Sequence, residues 1–237
     1  MKAWTPLVVL TLAGCAGGPR VDDRQRAFLG SAAVPSTVIA AELAFARAAR
    51  QKGTWTAFRD NATDDAIWPG PGWVNVKQAL KGVPDPAQPI VWEPDRVSMS
   101  CDGSFALSTG PATYPDGRKT RFVTIWQRQD DGRYKWVLDQ GFDLEAGYAE
   151  PEMIAAAVAE CGERRPGRPA RARRGLAWQS GQSDDGTLSW TTELRADCSR
   201  TFTMRAPKAG MPTEVFRVYT PAPRQPTGGG APAVCTP

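Results

Sequence analysis

Residues 122–141 read FVTIWQRQDDGRYKWVLDQG, and the pattern of this stretch decides the fold class. Two runs rich in β-branched and aromatic residues flank an Asp-Gly pair, which favours a tight hairpin turn because both of its central positions need positive φ. Strands joined by short turns pair in sequence order, so the sequence predicts an antiparallel meander of four strands. The strands are Val97 to Cys101, Phe105 to Tyr114, Thr120 to Arg128 and Arg133 to Gln140, with turns at Asp102-Gly103, Asp116-Gly117 and Asp131-Gly132.

The segment before this meander has apolar residues at helical spacing. Ser36 to Gln51 carries a broad apolar face, with Ser36 as its N-cap and Gly53 just past its end. Helices that precede a sheet in sequence cover one of its faces, so the predicted fold class is α+β. Three shorter elements are expected in the same segment: a helix capped by Thr54, a strand from Ala66 to Trp68 and a helix from Asn75 to Lys81.

Downstream of the meander the sequence predicts smaller elements. Pro151 to Cys161 has its apolar residues on one side and favours a helix. Short β-rich runs around Asp185-Gly186 favour a small C-terminal β appendage, and the Pro/Gly-rich end from Pro221 is expected to be irregular. The runs are Leu176 to Gln179, Thr187 to Leu194, Arg200 to Met204 and Val215 to Tyr219.

The segment from Val38 to Gly141 resembles the NTF2-like superfamily, in particular its DUF4440/SnoaL-like branch. The resemblance rests on three helices, a short strand with Trp68, and a hairpin with a tryptophan on each side that ends in Asp139-Gln140-Gly141. It implies a cone of N-terminal helices packed on a curved antiparallel sheet, with a pocket for an apolar ligand between them. Families of this fold include isomerases, dehydratases, hydrolases and non-catalytic binding proteins, so the fold does not choose an activity.

The first residues resemble a bacterial lipoprotein signal peptide. Lys2 supplies a positive start, an apolar run follows, and Leu12-Ala13-Gly14-Cys15 is similar to a lipobox. The run is far shorter than the roughly 20 residues that span a bilayer, although an ordinary cleaved secretory signal remains the alternative. The resemblance implies palmitate-type acylation of Cys15 and, because Ala16 rather than Asp follows, a cell-envelope protein anchored in the outer membrane and facing the periplasm.

Four cysteines remain once Cys15 is acylated, and an exported chain meets an oxidising compartment. Three pairings are open. We favour Cys101 with Cys161, which would clip a helix to the sheet, and Cys198 with Cys235, which would tie down the tail. With no histidine in the chain and no CxxC pair, we expect neither a metal site nor a cofactor.

The basic residues of the chain are concentrated in one connector. Lysine and arginine number 29 against 25 acids, but six arginines lie between Arg164 and Arg174, and without them acids outnumber bases. Anionic headgroups or other envelope polyanions would suit this run, yet a solvated linker broken by prolines is the interpretation we favour. Outside the cytoplasm we expect no nucleic-acid partner.

The absence of histidine leaves carboxylate, tyrosine and arginine chemistry. Asp139 is the best catalytic candidate, because it matches the family's aspartate near the end of the final strand, and a buried carboxyl beside tryptophans would have a raised pKa. A structural role for Asp139 is nevertheless favoured over catalysis. The other candidates are Asp64, Asp65, Asp95, Tyr114, Tyr134 and Arg121.

Tryptophans in or beside the predicted sheet are candidates for lining a pocket, and filling the core is the alternative. With Asp139, the ligand-binding candidates are Trp68, Trp126 and Trp136. Alternation places Phe122, Thr124 and Trp126 on one face, and Tyr134, Trp136 and Leu138 on one face of the next strand. If the face without helices is apolar, a homodimer through the sheet would bury it.

The sequence thus divides into a signal peptide at 1–14, a tether at 15–35, an NTF2-like domain at 36–141, a helix and Arg/Pro linker at 142–174, a small β region at 175–220 and a tail at 221–237. We expect an envelope lipoprotein that binds a small apolar molecule or a partner and does no chemistry. The alternative is an isomerase, dehydratase or cyclase that uses a pocket carboxylate.

Overall fold

The computed structural model describes residues 33–161, 173–174, 177–223 and 234–235. The predicted signal peptide with Cys15, nearly all of the tether, most of the Arg-rich linker and most of the tail lie outside the described residues. Within the described part, no helix has the length and apolar character needed to cross a membrane.

The structure is mixed α+β, with a large curved sheet and few helices. The helices are α1 Pro35–Lys52, α2 Thr54–Asn61 and α3 Val76–Ala79. The strands are β1 Ala62–Pro69, β2 Trp73–Asn75, β3 Val91–Trp92, β4 Arg96–Met99, β5 Phe105–Thr113, β6 Lys119–Arg128, β7 Tyr134–Asp143, β8 Ala155–Val158, β9 Arg173–Arg174, β10 Trp178–Gln182, β11 Ser189–Leu194, β12 Arg200–Lys208 and β13 Met211–Thr220.

The junction between α1 and α2 differs from the prediction in its caps. α1 begins at Pro35 with Val34 as N-cap, so the expected cap at Ser36 is wrong; proline is pre-organised for the first helical position. At the other end, Gly53 has a φ of 109°, and a side chain there would clash with the Asp85 carboxylate. That carboxylate accepts from the Thr56 N–H at 2.9 Å, and it caps α2 instead of Thr54.

The main sheet has the strand order β2-β1-β7-β6-β5-β4-β8, with β3 pairing beside β5. β4 to β7 pair antiparallel in sequence order, which confirms the predicted meander. β1 pairs parallel with β7, and β8 pairs parallel with β4. A purely antiparallel sheet was therefore a wrong expectation, since long connections free the β1–β7 and β4–β8 pairs from hairpin geometry.

The predicted helix from Pro151 to Cys161 is also wrong. Residues Ala155–Val158 form β8, whose side chains are exposed and whose backbone pairs with β4. An alanine-rich run of this length carries no packed apolar face, so the open edge of the sheet offers its backbone better partners. The disulfide between Cys101 and Cys161, as favoured from the sequence, thus fastens a strand rather than a helix to the sheet.

The Asp-Gly turns form where the sequence predicts them, but their geometry differs. Only the glycine of each pair has positive φ; the aspartate does not. Each aspartate instead accepts, at about 3 Å, the N–H two residues ahead, which favours a turn with glycine in the left-handed position. A fifth turn uses Asp197 in the same way, with Cys198 at a φ of 65° in the glycine position. Cys198 forms its disulfide with Cys235, the other pairing favoured from the sequence.

A β-bulge changes the face pattern on β7. Trp126 lies opposite Trp136, but Ile125 lies opposite Leu138, so Val137 is an extra residue in the ladder. Trp136 therefore packs with the helices, whereas Leu138 packs on the other face of the sheet. The prediction that Trp136 and Leu138 share a face is wrong for this reason.

The helices cover one face of the main sheet through an aromatic cluster. Phe45 of α1 lies 4.8 Å from Trp92 and 4.9 Å from Phe58 between ring centroids, and it also contacts Trp126 and Trp136. Three of these contacts are edge-to-face and the one with Trp136 is stacked, and both geometries add to the burial of apolar area. This cluster fixes α1 and α2 on the sheet.

The opposite face of the main sheet is covered by the chain itself. β9 to β13 form a second antiparallel sheet, and its apolar side chains pack on the first. Leu107, Ile125 and Leu138 of the main sheet meet Trp190 and Phe202 of the second. The face considered for a homodimer is therefore occupied, because the predicted β appendage forms a second layer of the fold.

Two hairpin turns join the layers in a reciprocal arrangement, called here the turn clasp and made of residues 100–104 and 183–187. The Asp102 carboxylate accepts from the N–H of Asp185 at 2.9 Å, and the Asp185 carboxylate accepts from the N–H of Asp102 at 2.9 Å. The Thr187 hydroxyl likewise accepts from the N–H of Cys101, and the Ser104 hydroxyl accepts from the N–H of Asp184. The two sheets are thus locked at one end by polar contacts.

Candidate functional site

A cavity of about 380 Å³ opens beside α2 and the ends of β1, β7 and β12. Aromatic side chains of α2 and β1 form one side, and polar groups of β7 and the second sheet lie elsewhere in the lining. Its size is within the range of small-molecule sites. Its lining includes Trp55, Phe58, Trp68, Tyr114, Thr120, Asp139, Gly141, Arg200 and Thr220.

A smaller extension of about 40 Å³ shares Phe58, Tyr114 and Asp139 with the main cavity and reaches Trp92 and Phe122. Trp92 and Phe122 belong to the buried aromatic core under the helices. Asp139 therefore lies where the open cavity meets its apolar extension.

Asp139 reaches this cavity because of the bulge on β7. Without the extra residue Val137, alternation would place Asp139 on the face opposite Trp136; with it, both lie on the helix side. Thr124 lies opposite Asp139 in the ladder, and its hydroxyl donates to the carboxylate at 2.7 Å.

Burial raises the pKa of Asp139 from 3.8 to about 7, and the charge of Glu42 adds to the rise, while the Thr124 hydrogen bond opposes it. Near neutral pH the carboxyl is therefore divided between its protonated and ionised forms. Such a group can accept or donate a proton under ordinary conditions.

Glu42 is a buried carboxylate that the sequence analysis missed. It lies on α1 with no exposed surface, and it accepts hydrogen bonds from Trp92 Nε1 at 2.7 Å, from Trp126 Nε1 at 3.0 Å and from the Ser108 hydroxyl. Burial raises its pKa, and these three hydrogen bonds oppose the rise. The available signal was its spacing, since position 42 falls on the apolar face between Val38 and Phe45.

Tyr114 lies beside Asp139. Its hydroxyl lies against the β7 backbone at Gly141, two residues beyond Asp139. A Cβ added to Gly141 would be 3.7 Å from that hydroxyl. Burial raises the pKa of Tyr114, and the negative charge of Asp139 adds to this. Arg118 lies over the tyrosine ring at 3.8 Å from its centroid. The cavity thus joins an aspartate and a tyrosine.

Arg200 brings a cation to the same cavity from the second sheet. One terminal nitrogen, Nη2, donates to the Gly141 carbonyl at 3.0 Å, whereas the buried Nε has no partner. Burial lowers the pKa of Arg200, and the charges of Tyr114 and Asp143 oppose the decrease. The sequence analysis did not single out this residue, because β12 was not expected to approach β7.

The other predicted candidates lie in structural contacts. Arg121 pairs with Asp95 at 2.9 Å and with Glu145 at 2.9 Å. None of the three lines the cavity. Exposed Asp64 pairs with Lys77, Thr63 donates to Asp65, and the Tyr134 hydroxyl donates to the Gly103 carbonyl.

The ligand-binding candidates are divided between cavity and core. Trp68 and Asp139 line the cavity, whereas Trp126 and Trp136 are fully buried in the aromatic cluster. Across the described residues, no three His, Cys, Asp or Glu side chains gather as a metal site would require.

No protein-family model matches this chain, and a search of curated proteins finds no match. Function is therefore inferred from the fold and from the groups that line the cavity.

Proposed function

We propose that this chain is an envelope lipoprotein whose NTF2-like body binds a small, partly apolar molecule in the cavity beside α2. One observation carries the proposal: an open cavity of about 380 Å³ with aromatic side chains on one side and polar groups in the same lining. Apolar walls with a few placed polar groups are the common composition of small-molecule sites.

The order of elements supports the NTF2-like part of the proposal. Helices α1 and α2 precede a short strand and a meander, and they pack on one face of a curved sheet. The cavity lies beside α2, and Asp139 lines it from the final meander strand.

Residue chemistry supports the envelope part. All four cysteines other than Cys15 are paired in two disulfides, which persist in oxidising compartments. Acylated Cys15 would hold the protein at the outer membrane, facing the periplasm. Metabolic labelling with palmitate, compared between the wild type and Cys15→Ala, tests this; absence of label from the wild type would contradict it.

Ligand binding is tested with a panel of small aromatic compounds and tryptophan fluorescence. Trp68→Leu should weaken the binding of any compound that quenches the wild type by about tenfold, since it removes an aromatic wall. Trp178→Leu is the matched control, because Trp178 is exposed on the second sheet and does not line the cavity. Equal affinities in both variants would contradict binding at this site.

A second candidate is acid-base catalysis, which the Asp139 pKa of about 7 and the adjacent Tyr114 favour. Asp139 would remove a proton next to a carbonyl, and Tyr114 would donate to the developing oxyanion. Turnover of an enolisable ketone that falls about 100-fold or more in Asp139→Asn, with ligand affinity retained, would establish it. Failure of the wild type to exchange or isomerise any bound ketone would leave binding as the function.

A further inference from the structure

Three polar atoms around the cavity lack a hydrogen-bond partner. They are the Thr120 Oγ1, the Arg200 Nε and the Thr220 Oγ1, all buried from solvent. Each residue lines the cavity of about 380 Å³. An unpaired buried polar group costs free energy. None of the three atoms exposes surface to the cavity as it stands, so a ligand would pair with them once the side chains that line the cavity turn toward it.

The strand register brings these groups together. Thr220 of β13 lies directly opposite Arg200 of β12 in the second sheet. Thr120 of β6 pairs with Asp143 of β7, just beyond the Gly141 carbonyl that holds one end of the guanidinium. Both layers of the fold therefore contribute to the site.

The charge of Arg200 has no direct counter-ion among the described residues. Its Nη2 contacts a neutral carbonyl, and no carboxylate of the described part lies within ion-pair distance of it. Thr120 and Thr220 both carry hydroxyls that can donate, as the Nε–H does. A set of donors around a cation suits an anion rather than a metal ion or an amine.

We propose that the cavity takes the carboxylate of a small aromatic acid, bound by Arg200 Nε and the hydroxyls of Thr120 and Thr220, with its ring beside Trp55 and Trp68. This rests on the proposed binding function. A guanidinium edge matches the planar geometry of a carboxylate. A monoanion also balances one arginine, whereas a dianionic phosphate would add repulsion from Asp139, which lines the same cavity.

The test compares acids with their neutral amides: benzoate with benzamide, naphthoate with naphthamide, and indoleacetate with indoleacetamide. Binding to the full mature chain is followed by calorimetry at about pH 6 and low salt, where the charge of Asp139 is reduced. At least one acid should bind about tenfold or more tightly than its amide, since a charged hydrogen bond is stronger than a neutral one.

Variants locate the preference. Arg200→Gln should abolish the preference for the acid while leaving the amide's affinity within about twofold, and Thr220→Val should reduce the preference several-fold. Arg205→Gln is the matched control, because Arg205 lies exposed on the same strand and does not line the cavity. Thermal unfolding of each variant shows whether the fold is retained.

The outcomes separate the two proposals. Equal binding of acid and amide, or an acid preference that survives Arg200→Gln, overturns the carboxylate site and leaves ligand binding standing. If none of the six compounds binds to the wild type, both proposals are overturned. A phosphate monoester that competes with the acid and binds more tightly also overturns the carboxylate assignment.

Discussion

Glu42 fixes the aromatic core through polar contacts rather than through apolar packing. Its carboxylate is the common acceptor for two indole N–H groups and one hydroxyl from three different strands. The sequence placed Glu42 on the apolar face of α1, but glutamate on a helix is usually a surface residue. The three donors come from residues 50 to 84 positions away in the chain, so no local pattern could reveal them.

We expect Glu42→Ala to lower the free energy of unfolding by about 3 kcal/mol, because it leaves the buried Trp92 indole and Ser108 hydroxyl without an acceptor and leaves Trp126 Nε1 with Ser108 alone. Urea denaturation followed by tryptophan fluorescence measures this. Arg50→Ala, an exposed position on the same helix, should change stability by about 0.5 kcal/mol or less. A Glu42→Ala variant as stable as the wild type would contradict the role given to this carboxylate.

Asp139 makes stability depend on pH. Its pKa is about 7 in the folded state against an ordinary 3.8, so ionisation costs more in the folded than in the unfolded chain. The wild type therefore loses stability from this group as pH rises from about 4 through 7. Asn cannot ionise, and the advantage of Asp139→Asn over the wild type should grow by roughly 1 to 3 kcal/mol between about pH 5 and pH 8.

Denaturation at both pH values measures that growth. Asp143→Asn provides the comparison, since Asp143 lines the same cavity on the same strand but is exposed. The groups whose charges act on or feel Asp139 are Glu42 and Tyr114, and both stay unchanged in these variants. An Asp139→Asn advantage that is the same at both pH values would refute the raised pKa.

At the scale of elements, turn chemistry carried most of the predictable information. Each Asp-Gly pair marks a turn, and the four meander strands follow from them. The predicted face of Leu138 was wrong because the bulge at Val137 cannot be recognised from the alternation of apolar and polar residues. The helix predicted over β8 was wrong because its short alanine run has no strand signal of its own. Pairing with the edge of β4 determines its conformation.

The turn clasp should contribute to stability through its paired carboxylates. Asp185 accepts from the Asp102 N–H across the layers as well as from its own turn, so Asp185→Ala should lower the free energy of unfolding by about 2 kcal/mol. Asp116→Ala removes the equivalent aspartate from a turn that contacts no second layer, and should cost about half as much. Equal losses in the two variants would show that the contacts across the layers contribute nothing.

At the scale of the whole molecule, the second sheet completes the fold. The sequence predicts short strands and a hairpin turn in this region, but that pattern does not identify what the strands face. The structure places Leu188, Trp190, Phe202 and Met204 against the main sheet. For the same reason the cavity was only half predictable: Trp68 and Asp139 could be named, whereas Arg200 depends on how the layers meet.

Removal of one disulfide tests how the edge of the molecule is held. Cys101 and Cys161 are 60 residues apart, and the double variant Cys101→Ser/Cys161→Ser should lose about 4 kcal/mol by loop-closure reasoning. Limited proteolysis should then cut first around β8, a short exposed edge strand whose backbone pairs with β4 on one side. Unchanged resistance to protease at β8 would contradict this.

Cys198 lies two residues before Arg200, in a turn where its own backbone has positive φ. A disulfide to Cys235 holds this turn. Reduction of this disulfide would leave the aromatic side of the cavity, with Trp55 and Trp68, in place. It would remove a covalent constraint close to Arg200. If the cavity binds the proposed ligand, formation of the Cys198–Cys235 disulfide would therefore affect binding as well as stability. We therefore expect the reduced protein to bind the proposed ligand more weakly than the form that carries this disulfide.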